Sequence, residues 1–454
     1  MFNFTFQQAW LGTLSVILIG AVLAHGKTVQ NQLPRGADNI GLHSKTIVSR
    51  ANEDDLLLTQ LAKNKYALTY GNGKLNGAGA DFLFKEAQAA QFILIAENHG
   101  FAELPQFTAA LFREINRYGY NHFAIETGPI TARLLESLAK KQSKDAFAEF
   151  NRQNPFSIPF FSWKEEADLL NHIINQSDGK SVELWGLDQE FILSAKINLQ
   201  RLLELTADKQ AKLVINEYYQ NAETEFIRAV EGKNPGILFM YSVKDDDFKR
   251  MEAAIKPKPD SEAAEILNEL KISREIYAKQ RGRGYESNLQ RSELMKAHFM
   301  RYYEKAVKRN KSLPKVLFKF GANHMKRGRN YTNVHDIGNL AAELANANKT
   351  KSFHLFVAAA GGTQNTYIPF GGSEEAKVRK YDGVKALKDF AGFDITPLLA
   401  PAPENKDWVV LDLRPLRPLL YSGKLGKIEK VTEELIWGYD AVLIIPEAHA
   451  AKLF

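Results

Sequence analysis

Unbroken apolar runs alternate with amphipathic stretches along this chain, a rhythm that predicts strands and helices in succession. "QFILIA" (91–96) is apolar throughout, the pattern of a strand covered on both faces. In "ELPQFTAALFREINRYGY", Leu104, Phe107, Thr108, Leu111, Phe112 and Ile115 recur at helical spacing, and Gly119 stands where a helix cap belongs. "NHFAIETG" (121–128) reads as the next strand, so 92–126 is a strand–helix–strand unit of a parallel sheet. Further strands are predicted at "VELWGLD" (182–188), "KVLFKFG" (315–321), "FHLFVAAAGG" (353–362), "DWVVLDL" (407–413) and "DAVLIIP" (440–446). Residues 190–310 are helical and rich in charge, an insertion over one end of the sheet that "KPKPD" (256–260) interrupts with two prolines. "GNGKLNGAGA" (71–80) lacks the spacing of a phosphate-binding loop and reads as a plain flexible loop. The predicted fold class is α/β, a central and largely parallel sheet flanked by helices, with a long helical insertion.

Composition narrows the function classes. Hydrophobic residues make up 45% of the 454 residues and charged residues 25%, an ordinary globular balance. A formal net charge of +6 over this length, with no base-reading motif, argues against nucleic acid as a partner. The absence of cysteine excludes disulfides, thiol catalysis and Cys-ligated zinc. From Ala9 to Ala24 the chain carries 16 residues without a charge, ending in the small-residue pattern of a cleavage site. That run is shorter than the roughly 20 residues of a membrane span. Residues 1–24 are therefore expected to be a signal peptide, directing a periplasmic or secreted protein; an uncleaved segment would attach it to a membrane. Residues 25–55 are polar and patternless, a tether before a single domain over 56–454.

The chemistry gathers at the predicted strand ends. The first strand ends in Glu97, Asn98 and His99, the second in Glu126, the third in Asp188, and the fourth in Gly321, Asn323 and His324. Parallel neighbours would bring these groups to one edge, where open α/β sheets bind their ligands. Each has a plainer reading: Glu97 and His99 could cap the following helix, Glu126 could be a turn acid, and His324 a bonded core histidine. Only the set argues for a site. Glu97 and His99 are two residues apart and point to the same side of an extended segment. No Gly-x-Ser-x-Gly elbow and no His-Glu-x-x-His helix is present. Two histidines with three carboxylates suit either an imidazole that deprotonates water beside a stabiliser of the oxyanion, or a divalent metal on His99, His324 and Glu126. Lys326, Arg327 and Arg329 read as a solvated loop rather than an anion site. Replacing His99 by Ala is expected to abolish turnover with little loss of stability, because a strand-end polar group buries little apolar area.

"AENHG", "AIETG", "WGLDQ" and "KFGANHMKRG", taken in order, resemble the strand-end motifs of the erythromycin esterase-like superfamily, which takes in ChaN-like haem-binding proteins and, more distantly, TraB/TIKI-type peptidases. The resemblance runs over residues 85–450 and includes Arg291 and Met295 in "RSELMKAHF", similar to the family's Arg-x-x-x-Met helix. It implies an α/β sheet with a cleft over the strand ends and a metal-independent hydrolase of an ester or lactone. In that scheme His99 is the general base, Glu97 its partner, Glu126 the second-strand acid, His324 the late histidine and Arg291 the arginine brought to the cleft; beside it, Asp188, Asn323 and His298 are this chain's own substrate-binding candidates. Three departures stand out. One residue separates Glu97 from His99, where the macrolide-esterase branch has two; Ala96 replaces a peptidase-like Gly; and His298 stands where the esterase helix usually carries Asn. The other readings are a metal-dependent hydrolase and a haem- or iron-binding protein, each taking a small molecule in the same cleft.

Overall fold

The computed structural model describes residues 56–141, 143, 145–175, 182–366, 378–385 and 407–454. The expected signal peptide and tether lie outside the described residues. Among the described residues no helix is long and apolar enough to cross a membrane.

Among the described residues, nine of eleven strands form one sheet. They are β1 (Lys65–Gly71), β2 (Lys74–Asn76), β3 (Phe92–Glu97), β4 (Tyr120–Ile125), β5 (Glu183–Gly186), β6 (Lys315–Gly321), β7 (Ser352–Ala359), β10 (Trp408–Asp412) and β11 (Ala441–Ile445), in the order β2-β1-β10-β11-β7-β3-β6-β4-β5. The remaining two, β8 (Gly361–Asn365) and β9 (Val378–Asp382), pair as an antiparallel hairpin. From β11 to β5 all neighbours are parallel, while β10, β1 and β2 extend the sheet by antiparallel pairing. The fold is thus α/β with a mostly parallel sheet.

Apolar runs without alternation follow from coverage of both faces. Ile93 and Ile95 of β3 face one core with Leu317, Ile125 and Leu355, under the helices Ala78–Ala89, Glu103–Ile115, Pro129–Lys140 and Lys164–Asn175. Phe92, Leu94 and Ala96 face the other, with Phe318, Phe320 and the residues Met295, Phe299 and Tyr303 of the long helix Gly284–Asn310. Between β5 and β6 come helices alone: Ala195–Leu205, Lys209–Glu231, Phe239–Ser242, Asp245–Ile255, Glu262–Gln280 and Gly284–Asn310, with one short 3-10 turn. They build a third core around Leu199, Ile215, Met240 and Leu270. The break at "KPKPD" falls between Ile255 and Glu262.

Two sequence expectations change. "GNGKLNGAGA" is not a plain loop: Asn72 and Gly73, at φ 50° and 70°, turn β1 into β2, and the helix from Ala78 follows. Asn-Gly supplies the two left-handed residues that such a two-residue hairpin requires. The run 353–362 is also two elements, since β7 ends at Ala359 and its glycines begin β8.

Candidate active site

Insertion of β6 between β3 and β4 assembles the site. The two strands consecutive in sequence are not adjacent in space; β6 pairs with both, placing Gly321 opposite Glu97 and Lys319 opposite Ile125. The carboxyl ends of β3, β6, β4 and β5 therefore lie side by side, and Glu97, His99, Glu126, Asp188 and His324 share one edge of the sheet. Glu97 and His99 do not cap the following helix, which starts after Ala102 without a side-chain cap. After β4 it is not Glu126 but Glu190 that caps the next helix, taking the backbone N–H of Ile130 (2.8 Å) and Thr131 (3.3 Å) at the start of Pro129–Lys140.

Glu126 is the hub. Its Oε1 lies 3.4 Å from His324 Nε2 and its Oε2 3.5 Å from His99 Nε2. Arg291 Nη2 donates to Oε1 at 3.0 Å and the Gly321 N–H to Oε2 at 2.7 Å. Each imidazole turns its other nitrogen to a second carboxylate at 2.8 Å, His99 Nδ1 to Glu97 and His324 Nδ1 to Asp336. Asp188 clamps Arg291 through Nε and Nη2, at 2.8 and 2.5 Å, which holds the guanidinium against Glu126. All of these carboxylates and imidazoles are buried. Phe160 stacks on the His99 ring with centroids 4.0 Å apart, from a left-handed backbone (φ 65°) that a bulky residue rarely adopts and that costs on the order of 1–3 kcal/mol.

Burial and ion pairing compete at every titrating group. Burial pushes His99 down, but Glu126 and Glu97 outweigh it and raise its pKa to about 9. His324 is likewise pushed down by burial and carried up to about 10 by Asp336 and Glu126, against Arg291. Burial pushes Glu126 up, yet His324 and then His99 hold it well below the usual carboxylate range. Glu97 is held low by Lys319 and His99 despite its burial.

The remaining candidates are placed differently. His298 lies neither in this cluster nor on a solvated face: it is buried, with Nδ1 on the Leu187 carbonyl (2.9 Å) and Nε2 on Glu269 (3.1 Å), so both ring nitrogens are committed to packing the long helix. Asn323 accepts the Tyr331 N–H at 3.0 Å and shapes the turn after His324. Lys326 and Arg327 pair with Glu434 and Asp440 and are not a solvated loop; Arg329 alone of the three is exposed. A metal on His99, His324 and Glu126 does not fit this arrangement. Both Glu126 oxygens already take donors, and Arg291 sets a positive charge 3.0 Å from the carboxylate that would have to bind the ion.

Several functional neighbours escaped the sequence reading. Asp336 is the N-cap of Ile337–Ala347 and spends its second oxygen on His324, so its sequence signature is only that of a cap. Lys319 was legible as a cation inside the apolar "KVLFKFG", and Glu166 as an acid on the apolar face of Lys164–Asn175. The β8–β9 hairpin grips the His99 loop: Gln364 Nε2 donates to the His99 carbonyl at 2.7 Å and the Asn365 N–H to the Gly100 carbonyl at 2.9 Å. Gly100 has φ 92°, and a Cβ there would come within 2.0 Å of the Asn365 carbonyl oxygen. Gly100→Ala is accordingly expected to cost roughly 3 kcal/mol or more in left-handed strain and overpacking; chemical denaturation measures it, and wild-type stability would refute the close fit.

The chain has the erythromycin esterase-like fold. It is similar to a mutant of the erythromycin esterase EreC in its open conformation, at 13% identity and TM-score 0.53, covering 84% of this chain and 96% of that one. A protein of Bacillus cereus matches at 14% identity and TM-score 0.55, and a succinoglycan biosynthesis protein at 13% and 0.54, each covering 88% of this chain and 99% of its own. No family model and no curated protein matches the sequence.

Proposed function

We propose that this protein hydrolyses an ester or lactone of a small molecule by water activation at His99. The observation that carries the reading is the convergence of two imidazoles on opposite oxygens of Glu126, each with its far nitrogen fixed by a second carboxylate. Such fixing sets the ring orientation and tautomer that general-base catalysis needs. The likeness to an erythromycin esterase agrees with it.

The two histidines differ enough to divide the work. His324, with the higher pKa, stays an imidazolium and, with Arg291, supplies positive charge where an oxyanion forms. His99, once neutral, takes a proton from water through Nε2 while the hydroxide adds to the carbonyl carbon. Collapse of the adduct breaks the bond to the leaving alkoxide, which receives that proton from His99. Glu97 stays ionised and orients Nδ1. Asp188 and Glu126 hold Arg291 in place.

This division predicts an alkaline rate profile. Neutral His99 is the working base, so turnover rises with pH to a midpoint of about 9 and falls as His324 loses its proton near 10. A pH series of kcat on the first responsive substrate reads it directly; a plateau already reached at pH 6 would exclude His99 as the base. The proposal itself is tested with the purified full chain on p-nitrophenyl esters and lactones, with and without chelator, alongside elemental analysis and an absorbance spectrum. Chelator-insensitive hydrolysis supports it. A stoichiometric metal lost on His99→Asn, or a haem band, would replace it. Residues 1–24 support export as part of the same reading, and N-terminal sequencing of protein recovered from the medium or periplasm tests that.

A further inference from the structure

Beneath His99 lies a buried charge group that the hydrolysis scheme does not use. Lys319 interrupts the apolar run of β6 on the face of Leu317, opposite Ile95 of β3, and its ammonium reaches the strand end. Nζ donates to Glu97 Oε1 at 2.7 Å and to Glu166 Oε1 at 2.6 Å. Glu97, Glu166 and Lys319 are 3%, 3% and 6% exposed. One ammonium thus bridges two carboxylates, and the second oxygens of both, Glu97 Oε2 and Glu166 Oε2, are buried without a hydrogen-bond partner. Burying an excess carboxylate among Ala167, Leu170 and Ile173 is unfavourable, and an apolar residue would pack there without that cost.

Charge balance gives the excess acid a role. The connected groups are the buried acids Glu166, Glu97, Glu126, Asp188 and Asp336, the buried cations Lys319, His99 and His324, and the partly buried Arg291. Five negative charges against four positive leave one in excess when all are ionised, and none when Glu166 is protonated. We propose that Glu166 and Lys319 are positioning residues that set the proton affinity of His99 through Glu97: the Glu166 carboxylate strengthens the hold on the His99 proton, and the Lys319 ammonium opposes it. Glu166 changes state near neutrality, so it is ionised over the alkaline range in which His99 gives up its proton. Burial, with the charge of Glu97 adding to it and Lys319 opposing, lifts its pKa to about 7. The groups facing Glu166 are Lys319, Glu97 and His99; those facing His99 are Glu97, Glu126 and the Phe160 ring, with Arg291 and His324 reaching it only through Glu126. The catalytic consequence rests on His99 being the base, whereas the coupling itself does not.

The test therefore reads the proton and not turnover. The full chain, labelled with 15N-histidine, is titrated by NMR, and the His99 resonance among the 10 histidines is assigned by its loss in His99→Gln. Glu166→Gln removes a negative charge and is expected to lower the His99 pKa by roughly 0.5–1 unit, a 3- to 10-fold loss of proton affinity. Adding Lys319→Met in the same chain removes the compensating cation and should move it back up. Glu166→Met serves if the Gln variant does not fold. A His99 titration unmoved in a folded Glu166 variant, or moved upward, overturns the proposal. Absence of ester hydrolysis would refute the functional reading and leave this result standing.

Discussion

His99→Asn should lower turnover by about 10²–10⁴-fold, the contribution of a positioned general base. The structure also revises what His99→Ala does to the fold. From the sequence, a strand-end histidine could be truncated at little cost; in the structure it is 6% exposed and wedged between Glu97 and Glu126. Removing it leaves two buried carboxylates facing each other across a hole, a loss on the order of 3–5 kcal/mol for breaking a buried pair from one side. Asn keeps a donor in place and so separates catalysis from folding. Denaturant unfolding of the Ala and Asn variants, measured beside kcat, makes the comparison. An Asn variant with wild-type kcat would end the proposed role of His99, and an Ala variant as stable as wild type would show that the bracketing carboxylates do not depend on the imidazole.

Glu126→Gln is expected to have an equally large effect on stability. Glu126 faces two imidazoles and Arg291 at once, and neutralising it leaves two buried cations and a partly buried one short of one negative charge. The loss should again be about 3–5 kcal/mol at neutral pH. It should also change how stability depends on pH. The pKa values of His99 and His324 are raised from 6.5 to about 9 and about 10, so the stability they contribute is complete below pH 6.5 and is lost as pH rises through those values. Glu126 has the opposite sign, its contribution being present above pH 4.5 and lost on acidification. Wild type should therefore weaken between pH 7 and 10, and Glu126→Gln should weaken less over that interval because one of the two carboxylates raising each histidine is gone, while Glu97 and Asp336 remain. Thermal unfolding across the range measures both slopes. Parallel curves for the two proteins would contradict the hub role of Glu126.

How much of this was readable in advance depended on the distance over which each interaction acts. Local pattern sufficed for the strands that carry the site: "QFILIA" is apolar because both its faces are covered, and the polar groups after it stand out for that reason. Spacing sufficed for Glu97 and His99, which align as residues two apart in an extended chain and bond at 2.8 Å. The Asn-Gly turn of the first hairpin is equally local, and its signal lies in the β-rich "KYALTYG" before it and not in the spacing of the glycines.

Composition and periodicity by themselves determined the α/β class, the parallel core and the set of acids and histidines at strand ends, because each depends on residues near one another in sequence. Strand order, hydrogen-bond partners and protonation were decided only by the tertiary structure. Nothing local says that β6 inserts between β3 and β4, yet that insertion alone brings His324 and Lys319 to the His99 pair. Nor could pattern separate Asp188, which clamps Arg291, from Glu190 two residues on, which caps a helix, or set His298 behind the site with both nitrogens spent. Proton affinities are the most distant from sequence. They follow from which charges burial forces together, and in this chain those charges come from strands and helices spread between Glu97 and Asp336.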